Sequence, residues 1–413
     1  RIRLSVLENR VEALGGVRGE FTGDTLNYNS FDNYAVAASG LLNLSYNEVG
    51  IIDIGAQLID GSDDPVAYKG TDVINGRTDD VGRFYPERFV APSLALLPRV
   101  SASCAPPSVF TYMGEPFGVD ITLNARNVQG ANTVNYRDVY AKLAAYGDLN
   151  FAAIEEVMSA DNNDLTARLA NASVPANFQA DWSAVQGGVL ELDGNLIFSR
   201  ATPADPDGPY DDLILAFVPE DSDGVTLDVA DLDAEVTQGD PEYQEIARHQ
   251  LRYGRLIINN AYGPETEDLA ITFQVEYFDG DRFVLNADDG CTIINANQLS
   301  FVTGTYTGDL DAGETSITSP QATTFYQGQI QGVQSDVNPT DATLTITAAG
   351  ENNSGTVDIE LDLDALSLPF LQFRWPHENN DYDENPRAQI EFGQFRSHDR
   401  VIYWQEIYNG ATP

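Results

Sequence analysis

Apolar and polar residues alternate with a period of two along most of the chain. The pattern is clear in "LLNLSYNEVGIIDIGAQLID", "PFGVDITLNARN", "GVLELDGNLIFSR", "DLAITFQVEYFDGDRFVLNADDG", "ATLTITAAG" and "GTVDIELDLDAL". Successive side chains of a strand point to opposite faces, so such runs predict antiparallel strands with one face buried. Gly, Asp, Asn and Pro punctuate the runs, and Asp279-Gly280 between two of them predicts a tight hairpin. "AAGENNSGTVDI" predicts a second hairpin over a longer loop. The segment "VYAKLAAYGDLNFAAIEEVMSADNNDLTARLA" breaks the pattern with helix-forming residues and is expected to hold one or two short helices, with Ala-rich edge strands as the alternative. The fold class expected is all-β: two or three stacked antiparallel β-sandwich domains of the Ig-like kind. Pro-rich breaks at "GRFYPERFVAPS" and "RATPADPDGPYDD" set the expected domains at 1–90, 91–205 and 206–413.

Composition narrows what such a protein does. The 413 residues, 42% hydrophobic, suffice for more than one core. The 64 acidic against 22 basic residues give a formal net charge of −42, a field that repels nucleic acid and anionic lipid and favours cations. Lys69 and Lys142 are the only lysines, a bias expected of a marine or salt-adapted source. No apolar run is long enough to span a bilayer as a helix. The start at Arg1, with neither Met nor leader, reads as a processed piece of something longer. The two cysteines, Cys104 and Cys291, are either an extracellular disulfide or a pair of inert core thiols.

Candidate chemistry is concentrated in carboxylates. Clusters fall at Asp205 and Asp207, at Glu220, Asp221 and Asp223, at Asp288 and Asp289, and in a C-terminal knot of Glu378, Asp381, Asp383 and Glu384. Asp221-Ser-Asp223-Gly224 resembles the front half of a calcium loop, in which alternate oxygens converge and Gly permits the turn; the twelfth position is Leu232 rather than the Glu that completes an EF-hand. Calcium is therefore a candidate ion at Asp205, Asp207, Asp221, Asp223, Asp381 and Asp383, against solvated turns capped by their own Asp. No cofactor is expected to be required. The chain has no Gly-x-Ser-x-Gly elbow and no phosphate loop, and His249, His377 and His398 show no ligand or triad spacing. No catalytic residue is assigned. The aromatic residues mostly fill strand cores; Trp375 and Trp404 are expected to face a shared one.

Several phrases are more specific: "VGRFYPERF", "FTYMGEPFGVDITLNARN", "RATPADPDGPYDDLILAFVPEDSDGV", "RYGRLIINNAYGPETEDLAITFQVEYFDGDRFVLNADDGCT" and "RAQIEFGQFRSHDRVIYWQEIY". In order and spacing they resemble the C-terminal region of the MshQ family, large secreted proteins encoded with the mannose-sensitive haemagglutinin type IV pilus of aquatic bacteria. The family's two cysteines fall at Cys104 and Cys291, which implies a disulfide between them. His377 and Glu378 replace part of the family's Asp/Gly loop, and Gln405 stands where Arg is usual. The resemblance implies a non-enzymatic, extracellular, pilus-associated protein, a minor component or tip adhesin. Its expected partners are pilus subunits, other surface proteins, or a glycan or surface receptor. The rivals are a secreted polysaccharide-binding or polysaccharide-active protein and a homo-oligomeric subunit that polymerises through edge strands.

Overall fold

The computed structural model describes residues 2–22, 25–26, 45–60, 62–67, 71–73, 75–100, 104, 107–156, 163–171, 181–182, 186–201, 205–228, 243–318, 323–324, 327–330, 344–375 and 382–393. Among these residues the chain is strand, turn and short 3-10 helix, with no α-helix.

The first sheet places β1 (Ile2–Asn9) beside β2 (Gly50–Leu58), and β3 (Asn75–Phe84) on the other side of β2. β1 and β2 run antiparallel from Ile2 opposite Leu58 to Asn9 opposite Ile52, with one bulge. Asn9 ends the strand by capping the 3-10 turn Arg10–Leu14: its side chain accepts from Val11 N while Glu12 accepts from Asn9 N. This sheet is tied to its neighbour through Glu48, whose buried carboxylate accepts the N–H groups of Val134 and Asn135.

The middle sandwich has two facing sheets. One carries β4 (Arg88–Leu97), β6 (Pro116–Arg126) and β8 (Val189–Phe198). The other carries β5 (Phe110–Tyr112), β7 (Phe151–Glu155), β9 (Tyr210–Phe217) and β10 (Gln244–Arg252). β8 shows why the strand period works: Leu190, Leu192, Leu196 and Phe198 are buried, while Glu191 and Asp193 between them are exposed. The sheets enclose Phe89, Leu123, Tyr136, Trp182 and Phe217, with the rings of Phe89 and Trp182 stacked at 5.5 Å.

The C-terminal sandwich consists of β11 (Gly254–Ile258), β13 (Phe273–Phe278) and β14 (Phe283–Leu285) over β12 (Ala261–Pro264), β17 (Arg387–Gly393), β16 (Gly355–Leu361) and β15 (Leu299–Phe301). A small sheet of Leu269–Ala270, Thr345–Ile346 and Ile317–Thr318 completes it. Each sandwich is closed in the same way. β5 pairs parallel with β10, and β12 pairs parallel with β17, so an early strand of each unit is held against a late one.

The hairpin at Asp279-Gly280 is present: Asp279 accepts from the N–H groups of Asp281 and Arg282, and Gly280 takes the left-handed conformation at φ 100°. Among its described residues the segment expected to hold short helices or Ala-rich strands has both: the 3-10 helices Asp138–Tyr140, Tyr146–Leu149 and Thr166–Arg168, and strand β7, whose Ala152, Ala153 and Ile154 are all buried in the sheet. Two expectations are corrected. "AAGENNSGTVDI" is not a hairpin, since Thr345–Ile346 and β16 pair into different sheets. The breaks expected at 90/91 and 205/206 both fall inside the middle unit: the first cuts β4, and the second separates β8 from β9 of the same sandwich.

Candidate functional site

The feature that the sequence pattern did not reveal is the seam between the two sandwiches. β10 ends at Arg252 and β11 begins at Gly254, leaving only Tyr253 between them. That close passage needs glycine at 254, where a Cβ would lie 2.4 Å from the Tyr112 ring and 2.9 Å from Leu371. Tyr253 is fully buried, with the Arg200 guanidinium 4.1 Å from its ring centre. Arg200, just past β8, donates to the carbonyls of Gly254, Phe370, Gln372 and Tyr382, so one side chain of the middle unit pins three segments of the next. Burial pulls Arg200 down from the ordinary arginine range.

The apolar cores also run into each other. Phe110 and Tyr112 of β5 sit in the core of the C-terminal sandwich, while Phe278, Phe283, Phe373 and Tyr382 pack against the core of the middle one. Burying each such ring contributes about 2–3 kcal/mol, so separating the sandwiches is costly.

At the centre of the seam lies Arg99, 1% exposed. Its Nε donates to both oxygens of Glu115 at 3.1 and 3.0 Å, its Nη1 to Asp289 at 3.0 Å and its Nη2 to Thr292 Oγ1 at 2.6 Å. Tyr112 donates its hydroxyl to Asp289 at 2.8 Å and accepts from Asn286 at 2.6 Å. Arg252 extends the network to Asn286 and Asp288. Burial disfavours the Arg99 charge, but Glu115 and Asp289 outweigh it and hold the guanidinium above its usual range. Burial likewise pushes the Asp289 carboxyl up, and Arg99 with the Thr292 hydrogen bonds brings it below the usual carboxylate range. Buried charges survive here because each is paired and hydrogen-bonded. Against this network lies the disulfide Cys104–Cys291, with its Cα atoms 4.9 Å apart, and Arg99 Nη1 reaches Cys291 Sγ at 3.4 Å.

The structure disperses the carboxylates singled out from the sequence. Asp221 is buried; one oxygen accepts the N–H groups of Asp223 and Val225, and the other accepts the Tyr136 hydroxyl at 2.7 Å. That is an Asx-type turn, which the Asp-x-Asp-Gly spacing specifies as readily as a calcium loop. Asp223 faces away, in a two-pronged ion pair with Arg83. Asp207 pairs with Arg168 and Tyr210, and Asp205 accepts from the Tyr382 hydroxyl at 2.6 Å. Asp383 is exposed, while Glu384 is buried and accepts Trp375 N. Glu378, Asp381, His377, His398 and Trp404 lie outside the described residues. Trp375 is half-buried, edge-on to Phe373 and beside Arg255. His249 is buried against Thr111 Oγ1 at 2.7 Å, and burial pushes it down to about 4. Among the described residues no group of three or more His, Cys, Asp or Glu side chains converges on a point.

The class defined by these features is a tandem β-sandwich protein whose successive units are fused by a shared core, a buried ionic network and a disulfide. Residues 48–246 match the third domain of DUF6701 and residues 252–407 match its fourth, and between them the two matches span most of the chain. The chain belongs to the DUF6701 family. The gap between the matches, residues 247–251, falls within β10 just before the crossing to β11, and Cys104–Cys291, Arg99–Asp289 and the Arg200 bonds all run from the third domain to the fourth. No curated protein matches the chain.

Proposed function

We propose that this chain is a stiff, non-enzymatic segment of an extracellular protein associated with a type IV pilus or the cell surface, where it holds a contact-making part at a fixed distance and orientation. The observation that carries the reading is the interdomain disulfide set in a fully buried network. Such bonds persist in oxidising compartments, and a joint held by a shared core, a buried ionic network and a disulfide suits a spacer better than a hinge. The order of motifs resembling MshQ supports the pilus association. Calcium is no part of the proposal: Asp207, Asp221 and Asp223 are engaged by Arg168, Tyr136 and Arg83, and one oxygen of Asp205 by Tyr382.

The test is fractionation of cells producing the tagged chain from its natural locus, with thiol labelling in each fraction. The reading predicts release with sheared surface filaments and a chain that does not react with thiol reagents until reduced. Recovery in the cytosol with free Cys104 and Cys291, or turnover of a glycan by the purified chain, overturns it.

A further inference from the structure

The bridge joins residues separated by 187 positions, and the loop it closes contains every strand from β5 to β14. That is the middle sandwich without β4, together with the first strands of the C-terminal one. Tension entering from the N-terminal side passes along β4 to Arg99 and Cys104. It then has two routes: through the loop, or across the sulfur pair to Cys291 and Thr292. The covalent route is far shorter, so a taut chain leaves the loop unloaded.

Arg99 and Thr292 both lie outside the loop, five residues before Cys104 and one after Cys291. Their 2.6 Å hydrogen bond therefore shunts the bridge. It has to open before the sulfurs take the full load, and the five residues from Arg99 to Cys104 then supply slack up to their reach of about 17 Å. The Arg99 bonds to Glu115 and Asp289 anchor the same latch to the loop, so opening it also strips two buried carboxylates of their partner. β4 is the exposed member of this path: it is zipped to β6 from Arg88 opposite Arg126 to Leu97 opposite Gly118, and it is what the N-terminal pull peels away.

We propose that tension along the chain is carried by the Arg99 latch and then by the Cys104–Cys291 bridge, so that the enclosed sandwich stays folded while the flanking parts extend. This rests on the surface-protein reading only in supposing that the chain is pulled in use. The mechanics are tested on the purified chain, whereas fractionation tests the location, so the two fail separately.

The experiment is single-molecule pulling of the oxidised chain by its two ends, repeated after treatment with TCEP. The oxidised chain is expected to stop short of the reduced one by a contour length of roughly 650 Å, the reach of the 187-residue separation. Where the buried bridge resists TCEP, C104A/C291A supplies the same comparison. Arg99→Met is expected to lower the force of the last rupture before the bridge stops extension while leaving the hidden length unchanged, and Arg99→Lys, which keeps the charge but not the fork, to fall between. Equal contour lengths with and without the bridge, or an unchanged last rupture before the bridge in Arg99→Met, overturns the proposal.

Discussion

Replacing Arg99 with Met keeps most of the side-chain volume and removes the charge that holds the seam. Glu115 and Asp289, both with fully buried side chains, lose their partner, and Thr292 loses a donor. Breaking a buried pair from one side costs about 3–5 kcal/mol, because the remaining charge has neither water nor a counter-ion. For the two matched domains melting as one unit of about 355 residues, that corresponds to a melting shift of roughly 4–7 °C under non-reducing conditions. The sign of the pH dependence follows from Asp289. Its carboxyl lies below the usual range in the folded chain, so it contributes stability that is present above the unfolded value of about 4 and is lost as pH falls through the folded value. In Arg99→Met burial is opposed only by the Thr292 hydrogen bonds, the folded value rises, and protonation relieves the uncompensated charge on acidification. Both effects shrink the gap between variant and parent as pH drops from 7 towards 4.5. The assay is calorimetry of both chains across that range. A shift below about 3 °C at pH 7, or one equally large at both ends, refutes the reasoning.

Further outcomes follow from the same geometry. C104A/C291A frees the long loop and is expected to cost about 5 kcal/mol by chain entropy, read as a fall in the denaturant midpoint that the oxidised parent does not show. Gly254→Ala drives a methyl into the Tyr112 ring and is expected to cost about 1–3 kcal/mol, whereas Gly147→Ala, with open space around it and no left-handed φ, is expected to cost less; urea titration ranks the two. His249 is held neutral with its value lowered to about 4, so its contribution is complete above the unfolded value of about 6.5 and is lost as pH falls towards 4. Relative to His249→Gln, the parent is expected to lose up to about 3 kcal/mol over that window, measured by paired denaturation curves. Tyr112→Phe leaves Asp289 and Asn286 each short of a bond in a buried site and is expected to cost about 1–3 kcal/mol by the same method.

The strands were legible because their chemistry is local. β6, β8 and β16 carry the period-two pattern that half-buried sheets impose, and Asp279-Gly280 carries its turn in two residues. β7 was ambiguous for the opposite reason: between β9 and Asn163–Asp164 it buries a continuous Ala-Ala-Ile run, which has no period to read. The seam was illegible apart from its cysteines. Arg99 sits in "LPRVSASC" with no flanking signal, and its partners lie 16 and 190 residues away. Arg200 acts through four backbone carbonyls, which no side-chain motif records. The acidic turns misled for a related reason. An Asp-x-Asp-Gly turn presents the same residues whether its oxygens meet a cation or its own N–H groups, and the deciding partners, Tyr136 and Arg83, come from elsewhere in the chain.

The central claim is that the third and fourth domains form one cooperative unit through Arg99, Arg200 and Cys104–Cys291. Hydrogen–deuterium exchange by peptide mass spectrometry, on the oxidised chain in graded urea, tests it most directly. The account predicts that amides of β6 and β8 in the third domain and of β11 and β16 in the fourth exchange together, through one opening of the same free energy and the same urea dependence. Two separate openings, with one sandwich exchanging while the other stays protected, would contradict it.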